Sequence, residues 1–520
     1  MIALPCPRLL PLLLTLILAL QGCASVNAPR EYSEMLPAEQ SAFGRSVQAQ
    51  VQAHRGQSGF RLLSSSDEAF RARAELIRNA QVSLDLQYYI VHDGFSTRAL
   101  VDELLKAADR GVRVRILLDD TTSDGLDKTI ATLAAHHNIQ IRLFNPTHLG
   151  RSTGVTRAMG RLLHLSRQHR RMHNKLWLAD NSVAIVGGRN LGDEYFDAEP
   201  DMNFTDIDLL GFGPVAQQLG YSFDQYWNSA LSQPIANFLF TVPTAKHLAA
   251  SRVRLEKSLT TSRSQHHALY ERLMTYQSAP QLDVWRRQLI WAWGQALWDA
   301  PTKVLARGEP DPHLLLTTQL APELTQVKHE LMLISAYFVP GEAGRDYLTG
   351  RADAGVDVSL LTNSLEATDV PAVHGGYVPY RKNLLEHGVK LFELRRQPGD
   401  DAGGTLSFSG SSDSSLHSKA MIFDERKSFI GSFNFDPRSV LWNTEVGVLV
   451  DSPELAAQMR HLAHEGMSPA RSYQVRLENG QVVWDTEDHQ QMHTLYREPG
   501  DWWRRLNAWA SEVIGLEKML

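Results

Sequence analysis

Apolar and polar positions alternate along three short stretches in the first half of the chain: VSLDLQYYIVHDG at 82–94, GVRVRILLDD at 111–120 and IQIRLFN at 139–145. A period of two predicts strands, and the apolar spacing between the first two predicts a helix. The same order returns in the second half, with LMLISAYFVPGEA at 331–343, a helical stretch, GVDVSLLTNS at 355–364 and GVKLFELR at 388–395. Strands alternating with helical patterns of about 10–15 residues predict βαβ units and a largely parallel sheet. The chain reads as a duplicated α/β protein.

The duplication extends into polar positions. HNKLWLADNSVAIVGGRN begins at His173 and HSKAMIFDERKSFIGSFN begins at His417. Both follow H-x-K-x4-D-x6-G-x2-N, which sets His173, Lys175, Asp180, Gly187 and Asn190 against His417, Lys419, Asp424, Gly431 and Asn434. Farther on, NFTDIDLLGFGP at 203–214 aligns with WNTEVGVLVDSP at 442–453, placing Asp206 opposite Glu445. In extended backbone, residues two apart share a face, so H-x-K aims an imidazole and an ammonium into one space. Two such segments meeting at a pseudo-dyad would gather two His and two Lys around a point. That set suits a phosphodiester. One imidazole attacks phosphorus, the other protonates the leaving alkoxide, and the lysines neutralise the non-bridging oxygens. Asn190 and Asn434 are placed to add amide hydrogen bonds to the same oxygens. The attacking ring needs its second N–H held, and Asp206 and Glu445 are the candidate carboxylates for that role, with Asp208 competing against Asp206.

This pair of motifs resembles the signature of the phospholipase D superfamily, over most of residues 60–465. The strings RRMHNK (170–175), GGRNLGDEYF (187–196), TNSLEATDVPAVHGGYVPYR (362–381) and GSFNFDPRS (431–439) are similar to those of bacterial cardiolipin synthases, particularly the C-type branch. The resemblance implies two pseudo-symmetric phospholipase D-like α/β/α repeats forming one active site at their interface. It implies a covalent phosphohistidine, with His173 as nucleophile and His417 as general acid and then base, although sequence symmetry does not choose between them. It also implies that Asp180 and Asp424 are mainly architectural. No metal or cofactor is expected, because lysines supply the charge that Mg²⁺ supplies elsewhere. Phosphatidylglycerol or phosphatidylethanolamine would donate the phosphatidyl group, and the glycerol hydroxyl of phosphatidylglycerol would accept it, giving cardiolipin. Transfer to water would instead make the protein a hydrolase releasing phosphatidic acid. A phosphodiesterase acting on nucleic acid and a non-catalytic lipid-binding envelope protein are further alternatives.

Charge and composition narrow these. The 520 residues carry a net charge of −6, which disfavours a non-specific polyanion binder, so no nucleic-acid partner is expected. Nine Lys or Arg and no acid fall between Lys128 and Ala179, a basic stretch in which Arg170 and Arg171 are candidate headgroup contacts. The gap between His173 and Asp206 is 33 residues and that between His417 and Glu445 is 28. The Gly-, Ser- and Asp-rich segment at 400–415, just before His417, reads as a mobile loop beside the active site, a candidate lid. His164, His169 and His374 are assigned no chemistry.

An apolar run at residues 9–20 ends in Leu20-Gln21-Gly22-Cys23, which resembles the lipobox of bacterial lipoproteins. Cys6 and Cys23 are the only cysteines, so cleavage would leave Cys23 as the sole thiol and the lipidation site. The expected protein is lipid-anchored to a bacterial envelope membrane, facing the periplasm, with Ser25 favouring the outer membrane. The expected organisation is a signal peptide at 1–22, a tether at 23–60, a first repeat at 61–232, a helical connecting segment at 233–312, a second repeat at 313–468 and a Trp-rich tail at 469–520. In that tail Trp502, Leu506, Trp509, Val513, Leu516 and Leu520 recur at helical spacing, a stripe expected to pack on its own domain or, alternatively, to seat in a lipid interface.

Overall fold

The computed structural model describes residues 28–120, 127–146, 170–239, 241–397 and 413–514. The expected signal peptide, Cys23, the middle of the basic stretch and most of the 400–415 segment lie outside the described residues.

The first half carries β1 (Ser58–Leu63), β2 (Ser83–Tyr88), β3 (Arg113–Asp119), β4 (Ile139–Phe144), β5 (Leu176–Ala179), β6 (Val183–Gly187), β7 (Met202–Thr205), β8 (Asp208–Phe212) and β9 (Ser232–Pro234). Eight of them form a sheet in the order β9-β4-β3-β2-β5-β6-β8-β1. Then come β10 (Ile290–Trp298), β11 (Glu330–Ser335), β12 (Asp357–Asn363), β13 (Lys390–Leu394), β14 (Asp413–Leu416), β15 (Lys419–Phe423), β16 (Lys427–Gly431), β17 (Val446–Asp451), β18 (Ser472–Glu478), β19 (Gln481–Asp488) and β20 (Gln491–Leu495). Ten of them build a second sheet in the order β10-β17-β16-β15-β11-β12-β13-β18-β19-β20, while β14 pairs with β7 of the first half in a separate two-stranded sheet. The two sheets repeat one another strand for strand, from β1 and β10 through β4 and β13.

Within these two sheets, among the described residues, β2-β3-β4 and β11-β12-β13 run parallel and the other neighbours are antiparallel, so the largely parallel sheet expected from the alternation holds at the centre of each sheet alone. The reason lies inside the motif. β5 turns into β6, and β15 into β16, through a tight reversal in which Asp180, Asn181, Asp424 and Glu425 all adopt left-handed φ of 48–56°. A hairpin that short makes its strands antiparallel.

The connecting segment is another correction. It is helical over Ala245–Gln265, His267–Leu273 and Leu282–Arg286, then becomes β10. IWAWGQALW alternates, burying Ile290, Ala292 and Ala296, and Gly294 leaves room for the Phe60 ring. β10 pairs with β1 through Ile290–Ala292 and with β17 through Trp293–Trp298, joining the two sheets. Nor is residue range 23–60 only a tether: it contains the helix Ala42–Ala53, the start of β1, and backbone that bonds Asp224 and Asn228. The C-terminal range extends the second sheet with β18–β20 before its helix begins.

Among the described residues, three apolar cores result. One lies under the helices Ser66–Asn79 and Phe95–Asp109 of the first repeat, and one under Pro371–Glu386 of the second. The third is shared: side chains of both sheets meet there around the helices Pro214–Trp227 and Pro453–Gly466. Burial of apolar surface from both halves in one cluster locks the repeats face to face.

Candidate active site

Each H-x-K segment sits in extended backbone at the mouth of a strand, β5 or β15, and each is pinned by the opposite repeat. The His173 N–H donates to the Thr444 carbonyl at 2.9 Å, and the His417 N–H donates to the Thr205 carbonyl at 2.8 Å. The residue after each threonine is a carboxylate. Glu445 therefore meets His173, with Nδ1 2.9 Å from Oε2 and 3.1 Å from Oε1, while Asp206 meets His417, with Nδ1 2.8 Å from Oδ2. The carboxylates aligned by the sequence repeat are thus exchanged between the halves. Neither repeat alone orients its own imidazole. With both Nδ1 atoms occupied, Nε2 is the ring atom left for chemistry on each side.

The lysines complete the set. Lys175 Nζ donates to the His173 carbonyl at 2.7 Å, and Lys419 Nζ donates to that of His417. Both ammonium charges act on both imidazoles, which places the four groups around one point. Burial, followed by the charges of Lys175, Lys419 and Arg438, holds His173 well below the usual imidazole range. Burial and Lys419 hold His417 down to about 4, although Asp206 pulls the other way. Burial also lowers the lysines, Lys419 to about 8. Burial disfavours the charged form of each of these groups, and the like charges around them add to it.

The carboxylates diverge. Burial pushes Glu445 up to about 7 despite Lys175, and it accepts hydrogen bonds from the Ser432 and Ser439 hydroxyls. Burial acts on Asp206 in the same direction, but its hydrogen bond to His417 and the charges of His417, Lys419 and Arg189 outweigh that, leaving it below the ordinary carboxylate value. Behind Glu445 lies Asp299, which accepts from the Glu445 N–H at 2.8 Å and pairs with Lys303 at 3.0 Å. Lys303 also donates to the Ser439 carbonyl at 2.7 Å.

The remaining candidates are distributed unequally. Asp180 lies at the β5–β6 turn, where its carboxylate accepts from the N–H groups of Gln81, Val82 and Ser83; Asp424 does the same for Lys328, His329 and Glu330. Asn190 uses its carbonyl for the Ile90 N–H and its amide for the Tyr195 hydroxyl, so the two asparagines are not equivalent. The side-chain oxygen of Asn434 is buried without a hydrogen-bond partner. Asp208 pairs with buried Arg73 at 2.9 Å and Arg189 at 3.3 Å, and it is Asp206 that meets a histidine. Arg171, two residues before His173, is buried and lies 3.7 Å from Asp119. Arg170 is half-buried next to it. His374 belongs to a separate cluster with Glu393 and Glu498, and Arg381 occupies its middle, 2.9 Å from His374, 2.6 Å from Glu498 and 3.1 Å from Glu393. The cluster already holds its cation.

Several site residues carried no motif of their own. Tyr89 stands edge-on to His173 with ring centroids 5.1 Å apart, and Lys175 lies over its ring. Tyr195, Phe204 and Tyr337 surround His417. Ser432, Arg438 and Ser439 all lie within the string GSFNFDPRS (431–439), where nothing in the repeat singles them out.

A sequence model described as "Cardiolipin synthase, PLD-like domain" matches residues 74–227 and 320–465, the two halves whose crossed pairs are described above. The chain belongs to the phospholipase D-like cardiolipin synthase family. It is 38% identical over 475 residues to Cardiolipin synthase C of Escherichia coli, covering 90% of this chain and 97% of that protein. Cardiolipin synthase A of Proteus mirabilis is 24% identical over 80% of this chain and 70% of its own length. Among solved structures, the phosphatidylserine synthase of Haemophilus influenzae superposes with a TM-score of 0.52 at 13% identity, covering 82% of this chain and 91% of that one, a likeness of fold. In this phospholipase D-like chain no helix among the described residues is long and apolar enough to cross a membrane.

Proposed function

We propose that the protein is a phosphatidyltransferase of the cardiolipin synthase type, moving a phosphatidyl group from one membrane phospholipid to the glycerol hydroxyl of phosphatidylglycerol. The observation that carries this reading is the crossed arrangement His173–Glu445 and His417–Asp206, with Lys175 and Lys419 between. Nε2 of His173 attacks phosphorus, forming a P–N bond as the P–O bond to the departing headgroup breaks. His417 gives its proton to that alkoxide. The phosphatidyl-histidine then waits for an acceptor. A phosphatidylglycerol hydroxyl delivers its proton back to His417 and attacks phosphorus, breaking the P–N bond and releasing cardiolipin. Both lysines face the non-bridging oxygens throughout. Water in place of the second lipid would yield phosphatidic acid. The similarity to Cardiolipin synthase C over most of both chains favours the lipid acceptor.

The site's place at a membrane follows from that substrate. The apolar run at 9–20 and the lone remaining thiol of Cys23 support a lipid-anchored envelope protein facing the periplasm, with Ser25 favouring the outer membrane.

Mass spectrometry of lipid products tests the reading, using vesicles of phosphatidylglycerol and phosphatidylethanolamine with His173→Ala as control. Cardiolipin formed by wild type alone is expected, and the released headgroup names the donor. Phosphatidic acid without cardiolipin would make the protein a hydrolase.

A further inference from the structure

The helix Trp502–Ile514 is built back to front for a helix of a globular protein. Trp502, Leu506 and Trp509 are spaced by four and three residues and form one stripe, with Trp503 beside it. A stripe of this kind normally faces the core. Here its members are exposed, from 42% for Leu506 to 68% for Trp502, while Ala508 faces inward. Met492 and Tyr496, just before the helix, are exposed as well, and so is the cation Arg497.

This helix is fixed in place by its polar side. Arg504 donates to the carbonyls of Leu365 (3.2 Å) and Thr368 (2.6 Å), Arg505 donates to those of Glu498 and Gly500, and Glu498 is anchored to His374 and Arg381 on the helix Pro371–Glu386. The outward stripe is therefore a held surface rather than a frayed end. Its attachment point leads to the chemistry. One residue beyond Thr368, the Asp369 carboxylate accepts from the Tyr337 hydroxyl at 2.7 Å, and the Tyr337 ring lies 5.9 Å from Lys419 Nζ and 6.5 Å from the His417 ring. The exposed neighbour Val370 lies on the same loop.

We propose that the Trp502–Ile514 helix is the surface by which the enzyme seats on a phospholipid bilayer, holding the second half of the site against the lipid headgroup layer. The proposal rests on the phosphatidyltransferase reading, since a substrate embedded in a bilayer requires the mouth of the site to meet that bilayer. Tryptophan favours the headgroup layer, where its ring is apolar and its N–H stays hydrogen-bonded. A helix lying in that plane buries one apolar stripe and keeps its polar side on the protein, which is the disposition of Trp502, Leu506 and Trp509 against Arg504 and Arg505. Arg497 adds a charge complementary to anionic lipid.

The test compares full-length wild type with Trp502→Ala/Trp503→Ala/Trp509→Ala, a variant that removes exposed rings and keeps helix-forming residues. Transfer is measured on phosphatidylglycerol–phosphatidylethanolamine vesicles and, separately, on short-chain phosphatidylglycerol dispersed as monomers. The expected result is a loss of tenfold or more on vesicles, with the short-chain rate within about threefold of wild type. Tryptophan fluorescence should be quenched by vesicles containing lipids brominated in the upper acyl chain, and that quenching should shrink in the variant. Equal rates on vesicles overturn the proposal, as does an equal loss on both substrates, which would make the helix a support of the site itself. A wild-type dimer that the substitutions dissociate, with vesicle transfer intact, would assign the stripe to a second copy and also overturn it. Wild type that makes no product from either substrate, yet shows the brominated-lipid quenching, would leave the seat standing and remove the phosphatidyltransferase reading.

Discussion

The two halves of the site share a motif but not an environment. On one side His173 faces Glu445, whose carboxyl is buried among the Ser432 and Ser439 hydroxyls with Asp299 behind it and titrates at about 7. On the other, His417 faces Asp206, which lies below the ordinary carboxylate range. Gly188 occupies the place of Ser432 there, and a Cβ on it would stand 2.4 Å from both Asp206 oxygens. A carboxylate that stays charged supports a protonated imidazole, and one that gives up its charge near neutrality supports a neutral one. The depressions of the two rings agree: His173 is driven well below the imidazole range, whereas Asp206 limits the fall of His417 to about 4. Duplication supplied two similar histidines, and their second neighbours give them unlike environments, the asymmetry that the proposed division into nucleophile His173 and acid His417 uses.

The largest effect should come from the histidines themselves. His173→Ala and His417→Ala are each expected to lower turnover by about 10³-fold or more, since each ring serves both half-reactions. Only one should carry phosphorus. Acid-quenched turnover of a phosphate-labelled donor should leave the label on His173, located by peptide mass spectrometry. Label on His417 alone would reverse the division of labour argued from the carboxylates.

A smaller effect should follow from making the halves alike. Gly188→Ser copies the Glu445 side into the Asp206 side, where the new Cβ collides with the carboxylate and turns it from His417. A fall of about 10²–10⁴-fold in kcat is expected, the range of a misplaced acid–base group. The reciprocal Ser432→Gly removes one of two hydroxyls from Glu445 and should cost about tenfold. Circular dichroism checks that both variants fold. Equal, mild losses would mean that the difference between the two environments has no mechanistic weight.

Much of this was legible before any coordinates. The repeat, the H-x-K pair and the alignment of Asp206 with Glu445 are written in side-chain identity at fixed offsets. What pattern could not supply was the exchange of carboxylates, because an alignment of repeats records equivalence and not which copy faces which. Asp208 shows the same limit: it lies two residues from Asp206 on the same stretch of chain, yet it balances Arg73 and Arg189. Asp299 and Lys303 escaped because they come from outside both motifs and act by holding backbone. β10 lies inside the range read as a helical connector because its alternation is carried by small residues, Ala292, Gly294 and Ala296, whose burial depends on the sheets on either side. The outward stripe of the last helix depends on where Arg504 ties it, and local periodicity contains no such information.

The gentlest test of the comparison uses pH. Lys419 belongs to the His417 side and, lowered by burial to about 8, loses its proton as pH rises through that value. Each discharged ammonium removes a counter-charge for the phosphodiester, so kcat/KM for the free enzyme should fall on the alkaline side with a midpoint near 8. On the acid side, protonation of the neutral nucleophile should end the plateau, which gives a bell. Lys419→Arg keeps its charge far above this range, because a guanidinium does not discharge below about pH 12. Its planar fork fits the ammonium's place poorly, so the plateau should drop by about tenfold while the alkaline midpoint moves up by at least one pH unit. A midpoint that stays near 8 in Lys419→Arg would assign the alkaline limb to another group, and the first to examine would be Lys175, whose proton is loosened by the same burial on the opposite side of the phosphate.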